Sequence, residues 1–138
     1  MVYQDTITIN TSGNGDLHDL SDQVTSIVNK SGVKMGIASI FNVGSTAAIS
    51  TIEFESGLKK DLPEMLNRLI PASREYGHEK AWHDGNGHSH LQATTLGPSL
   101  QIPVRNGNPV LGTWQQVIHI ECDNKPRQRS IVVTVIGE

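Results

Sequence analysis

A single cysteine, Cys122, among 138 residues excludes an intrachain disulfide, so the fold rests on burial and hydrogen bonding and suits a reducing cytoplasm. Aromatic residues are scarce, with two each of Trp, Tyr and Phe, which leaves Ile, Val and Leu to supply most of the core. Positive charge is not in excess either. Eleven Lys and Arg stand against fourteen Asp and Glu, and their even mixing leaves no basic stripe of the kind a nucleic-acid surface needs. No apolar run approaches the roughly 20 residues that span a bilayer, and Met1-Val-Tyr-Gln-Asp-Thr-Ile7 lacks a basic segment followed by an apolar one. Neither nucleic acid nor membrane is expected as a partner. There is no repeat, low-complexity tract or linker, so residues 1–138 are read as one cytoplasmic domain, long enough to bury a core.

What is present is a clear alternation of strand and helix signals. Tyr3 to Ile9 alternates as a strand, and Val24, Ile27 and Val28 mark a helix from Ser21, its expected N-cap, to a stop at Gly32. Val33–Val43 and Thr46–Glu53 read as strands joined through Gly44-Ser45. Leu58, Leu62, Met65, Leu66 and Leu69 form the apolar stripe of a second helix over 58–70. Because Pro63 is tolerable only in a first turn, the regular part is placed near Asp61 onward. Four further strands are expected over 88–96, 100–104, 110–121 and 130–136, with a hairpin at Asn106-Gly107. The order β-α-β-β-α-β-β-β-β predicts an α+β fold, a mostly antiparallel sheet folding into a sandwich with two helices.

Four of the six histidines fall within residues 78–90. On a strand, the two-residue period would turn His88 and His90 to one face, where with His78 they could hold a divalent ion at three protein ligands and an open position. Imidazole suits a zinc-like ion, whereas magnesium would ask for carboxylates. His83 is peripheral, and His119 is expected at a surface strand position. Asp84 and Glu121 are the acid/base candidates, each able to serve as ligand, as orienting partner of an imidazole, or as general base. Asn86 lies between two glycines, where it can form a turn or fix a ligand. Trp114 can stack on a heteroaromatic ring whose edge Gln115 reads, or fill a subunit interface. Cys122 lies between acidic Glu121 and Asp123, which disfavours a thiolate nucleophile.

Several motifs, taken in order, resemble the YjbQ family, often labelled secondary thiamine-phosphate synthase: Gly44-Ser-Thr-Ala-Ala-Ile49, Tyr76-Gly-His78, Asp84-Gly-Asn-Gly-His-Ser-His90, Leu96-Gly-Pro-Ser99, Leu111-Gly-Thr-Trp-Gln-Gln116, and the closing Glu121, Asp123, Arg127 and Arg129. The resemblance implies a compact α+β domain assembled as a homotrimer with sites near subunit interfaces. It also implies an enzyme joining a pyrimidine diphosphate to a thiazole phosphate, with Ser45, Thr46 and Arg129 among the residues facing a small phosphorylated or heteroaromatic ligand. Many members carry histidine where this chain has Gly44, so that histidine's role cannot be carried over. Two other functions fit the same residues: a metal-dependent hydrolase of small phosphorylated compounds, and a non-catalytic trimer that binds a small ligand or metal.

Overall fold

The computed structural model describes residues 1–138. The chain runs β1 (Val2–Thr11), β2 (Leu17–Asp19), α1 (Ser21–Ser31), β3 (Met35–Val43), β4 (Ala47–Glu53), α2 (Ser56–Leu69), α3 (Gly77–Trp82), α4 (Gly87–Leu96), β5 (Ser99–Arg105), β6 (Asn108–Pro109), β7 (Gln115–Glu121) and β8 (Arg127–Gly137). Every strand pairing is antiparallel. Five strands form one sheet in the order β1-β8-β3-β5-β6, and three form a second in the order β2-β7-β4. The α+β class and the antiparallel sandwich expected from the sequence are those of the structure.

Two apolar clusters separate the layers. Ile7, Ala38, Ile40, Ile102, Val104, Ile131, Val133 and Val135 line the inner face of the large sheet. They meet Leu20, Val24, Ile27 and Val28 from α1 and its lead-in, with Ile49 and Val117 from the small sheet. On the other side of the small sheet, Ala48, Ile118 and Ile120 pack with Leu66 of α2 and Ala93 of α4. Strand β7 is therefore covered on both faces, which is why Val117 to Glu121 is buried throughout.

Local differences from the sequence reading have identifiable causes. The residue before α1 is Leu20, and Ser21 is already helical; its hydroxyl accepts from Val117 N–H at 2.9 Å, tying the helix to β7 instead of capping it. Gly32 ends α1 as expected, in the left-handed region at φ 75°. Helix α2 begins at Ser56, ahead of the expected Asp61, because the Glu55 carboxylate accepts from the Gly57 and Leu58 N–H groups and caps it there. Pro63 thus lies inside the helix, beyond its first turn. Asn106 and Gly107, at φ 52° and 76°, form the expected hairpin turn. The strand expected over 110–121 is confined to Gln115–Glu121, after the short β6.

The main correction concerns residues 88–96, which form helix α4 and not a strand. Its buried face is Ser89, Gln92 and Ala93, with Leu96 continuing it at helical spacing. Two of those positions are polar, so a search for apolar period finds nothing helical there. The N-terminus is fixed by Glu79 Oε1, which accepts from Gly87 N–H at 2.6 Å. Gly97, at φ 96°, and Pro98 end it.

Candidate functional site

The loop between α3 and α4 turns back through His83, in the left-handed region at φ 57°, and Gly85, at φ 72°. This brings Asp84 and Asn86 onto His78 of α3. His78 Nε2 lies 3.0 Å from Asp84 Oδ1 and 2.8 Å from the Asn86 amide, whose nitrogen, turned toward Asp84, donates to that carboxylate at 2.8 Å. The same amide nitrogen faces His78 Nε2 at 2.8 Å as a donor, so the neutral His78 ring accepts at Nε2 and carries its proton on Nδ1. The ring of His90, one turn into α4, stands with its centroid 4.4 Å from that of His78. His78, Asp84, Asn86 and His90 are therefore one cluster.

His88 is not part of it. Two residues apart on a helix, His88 and His90 project about 200° from each other, so the shared face that a strand would have given does not exist. His88 turns inward and is 5% exposed. Burial pushes its pKa down, against the opposing pull of the Glu79 and Asp123 carboxylates. Next to it on α4, the Ser89 hydroxyl is buried with no protein partner. No three His, Cys, Asp or Glu side chains stand together in a way that could hold a metal ion, so the set His78, His88 and His90 does not fit a three-ligand centre as placed.

Behind this cluster, one end of the space between the two sheets is filled by charged and hydroxyl groups. Arg129 of β8 donates through Nε to Glu121 Oε1 at 2.8 Å and through Nη2 to the other Glu121 oxygen and to Thr46 Oγ1, the latter at 2.9 Å. Thr11 donates to Glu121 from β1. Thr46 donates to Asp123 Oδ2 at 2.9 Å, and Arg127 Nε donates to the same oxygen at 2.9 Å. Burial pushes the Asp123 carboxyl up, but hydrogen bonds from Thr46, Arg127 and Asn124 N–H, together with the Arg127 charge, outweigh it and hold the group below the usual carboxylate range. Asn124 Nδ2 donates to Gly85 O at 3.3 Å, joining this network to the histidine loop. Each arginine is matched by one carboxylate, whereas Glu79 and Asp84 on the histidine side have no cationic partner among these groups.

Other residues expected in the site lie elsewhere. Ser45 is exposed beside buried Thr46. Trp114 is 71% exposed, and Gln115 donates to Thr51 Oγ1 at 3.0 Å, at the opposite end of β7 from Glu121. The six-residue separation along that strand is about 20 Å. Gln115 instead borders a cleft of about 360 Å³ lined by Thr51, Leu96, Ser99, Leu100 and Leu111. Cys122 is buried, and burial pushes its thiol up to about 12, which removes it as a nucleophile. Glu79 was missed by the sequence reading, although it accepts from both Tyr76 N–H and Gly87 N–H and so sets the spacing of α3 and α4. The only available signal was an acidic residue in the first turn of a short helix.

An antiparallel two-sheet sandwich with a histidine loop set against a Thr-Asp-Arg-Glu network defines a class of small α+β proteins. The chain belongs to the YjbQ family: the family model described as UPF0047 protein YjbQ-like matches residues 5–138. A UPF0047 protein of Methanothermobacter thermautotrophicus is 39% identical over 137 residues, covering 99% of this chain and 94% of the relative. YugU of Bacillus subtilis is 30% identical, covering 96% of this chain and 98% of its own. Among solved structures, a protein of unknown function from Sulfolobus solfataricus superimposes with a TM-score of 0.93 at 40% identity, covering 100% of this chain and 99% of that one.

Proposed function

We propose that the chain is a small-molecule enzyme of the thiamine-phosphate-synthase type, joining a pyrimidine diphosphate to a thiazole phosphate between the α3–α4 loop and the segment linking β7 to β8. The observation that carries this reading is the polarity of the site. Imidazoles and the carboxylates Glu79 and Asp84 stand on one side, and Thr46, Arg127 and Arg129, the arginines paired with Asp123 and Glu121, on the other. A pyrimidine that gains positive charge as its diphosphate departs is stabilised by fixed negative charge at the ring and by N–H and O–H donors at the leaving group. The half-buried His90 and His78 rings, inclined 53° to each other, each offer an aromatic face, and His78 can take up a proton at Nε2 beside the Asp84 carboxylate. No step is assigned to a metal ion.

The reading extends to a homotrimer. The outer face of the large sheet exposes Met35, Ile37, Phe41 and Val43 of β3 and Ile136 of β8, with Ile37 directly opposite Ile136. An apolar stripe of this kind, interrupted at Ser39 and Thr134, is suited to burial against a second copy.

The test is product formation from the two phosphorylated substrates by the purified chain, with rescue of a thiamine-requiring strain. His78→Ala and His90→Ala should each lower turnover by about 100-fold or more. Turnover of generic phosphate esters, with stoichiometric zinc lost in His90→Ala, would replace this reading with a metal-dependent hydrolase. Tight ligand binding with no product would replace it with a binding protein.

A further inference from the structure

The cleft of about 360 Å³ that Gln115 borders opens at the mouth of the sandwich. It runs between β4, the last strand of the small sheet, and β5, whose outer edge meets only the two-residue β6. We propose that this cleft is a second small-molecule site, taking an uncharged planar heterocycle of the nucleobase type between two unpaired strand edges. It lies at the opposite end of β7 from Glu121, and the assignment goes beyond the reaction proposed above.

The two edges follow from the pairing registers, because successive residues of a strand send their N–H and C=O groups to opposite sides. On β5, Pro103 O accepts from Val110 N–H and not from β3, so Ser99 and Gln101, of the same parity, also face away from β3. Strand β6 pairs only with Val104 and Arg105, which leaves the Ser99 carbonyl and both Gln101 groups without a partner. On β4, Ile49 N–H donates to Gly97 O at 3.2 Å and not to β7. Thr51 faces the same way, and its N–H and C=O are free. Residues 49–51 of β4 and 99–103 of β5 line the cleft, so the free groups of both edges stand on its walls. Gln115 fixes the rim, its Oε1 accepting from Gly112 N–H at 3.1 Å while its Nε2 donates to Thr51 Oγ1.

These walls select the class of ligand. No Asp, Glu, Lys, Arg or His lines the cleft, so a charged ligand would leave water for a site without countercharge. Ile49 and Ile102 of the core supply an apolar floor, with Leu100 and Leu111 packed against it. The size is that of a small-molecule site. A ring with an N–H beside a carbonyl, or an amino group beside a ring nitrogen, matches the donor and acceptor that Thr51 and Gln101 each present. Packed sheets stand about 10 Å apart, which leaves the width of one ring between two hydrogen bonds. An added peptide strand fits less well. The β4 edge is stopped at Gly97 O and again where Glu53 O accepts from Glu55 N–H, and the β5 edge is stopped at Pro103. Neither edge can carry a ladder of ordinary strand length.

The experiment is an NMR titration of the full chain with uracil, with adenine and with a capped tetrapeptide of Val and Thr, each separately, following the Thr51 and Gln101 amide signals. A saturable shift of both signals with at least one base is expected. Gln101→Pro deletes one edge donor and should weaken binding about tenfold, read from the Thr51 amide. Pro103 already occupies the same edge two residues on, so the strand admits proline there. Thr51→Pro makes the matching deletion on β4, read from the Gln101 amide, and serves if Gln101→Pro does not fold. No saturable shift with either base, or equal affinity in the wild type and the folded variants, overturns the assignment. Saturation by the peptide alone also overturns it, in favour of strand addition. Base binding without synthase turnover supports the cleft and counts only against the proposed reaction, because neither Thr51 nor Gln101 belongs to the histidine cluster.

Discussion

His119 illustrates what a single residue contributes and how it was misread. It shares parity with Gln115, Val117 and Glu121, which could bring it toward the site, and a surface strand position is the sequence expectation; that face is instead covered by the large sheet and the ring is fully buried. The uninterrupted burial of β7 is hinted at by Ile118 and Ile120 flanking the histidine; the covering strand β3, more than seventy residues earlier, is not written locally. Nε2 contacts Asn42, and Nδ1 has no partner. Burial pushes the pKa down to about 4, with Glu121 opposing and Arg129 reinforcing the shift. In the unfolded chain the ring takes its proton near pH 6.5, so the stability it contributes is whole above that pH and is lost as pH falls toward 4. The loss between pH 7 and 4.5 should be on the order of 2 to 3 kcal/mol. Urea midpoints at the two pH values should therefore differ markedly less in His119→Gln than in the wild type, and parallel losses would show that other groups set the acid limit. The depressed Asp123 carboxyl acts in the same direction but over a lower range, below the ordinary carboxylate pKa.

At the scale of elements, α4 shows why the site was half legible. His78, Asp84, Asn86 and His90 do come together. The geometry assigned to them was wrong, because a helix whose buried face includes Ser89 and Gln92 carries almost no apolar period. Gln92 is buried by bonding to Asn67, Ile70 O and Asn14, partners supplied by α2 and the β1–β2 link, and no local pattern reveals that. Where the signal is local it holds, as in the Asn106-Gly107 turn and the Gly32 stop. Ser89→Ala removes a buried hydroxyl that no protein group satisfies, and should leave thermal stability unchanged or raise it by about 1 kcal/mol. Gly87→Ala should do the opposite. Its Cβ would lie 2.7 Å from Tyr76 Cβ and 2.8 Å from the Glu79 carboxylate. Separating α3 from α4 to admit it should cost about 1 to 3 kcal/mol, measurable by denaturant melts.

For the whole molecule, the exposed stripe on the large sheet makes assembly testable. Phe41→Asp, at a position 44% exposed in the single chain, should leave the fold intact and shift a trimer toward monomer in sedimentation. An unchanged mass would mean that this face is not the interface. No helix is long and apolar enough to cross a membrane. The pairing of β1 with β8 has a further consequence, in time. Val2 pairs with Ile136 and Thr11 with Arg127, and β8 also carries β3 on its other edge. The large sheet cannot close until residues 127–137 have been synthesised, and β1 must wait without its hydrogen-bonding partner. Such non-local closure predicts slow folding for a domain of this size and a nascent chain that depends on protection of its first strand.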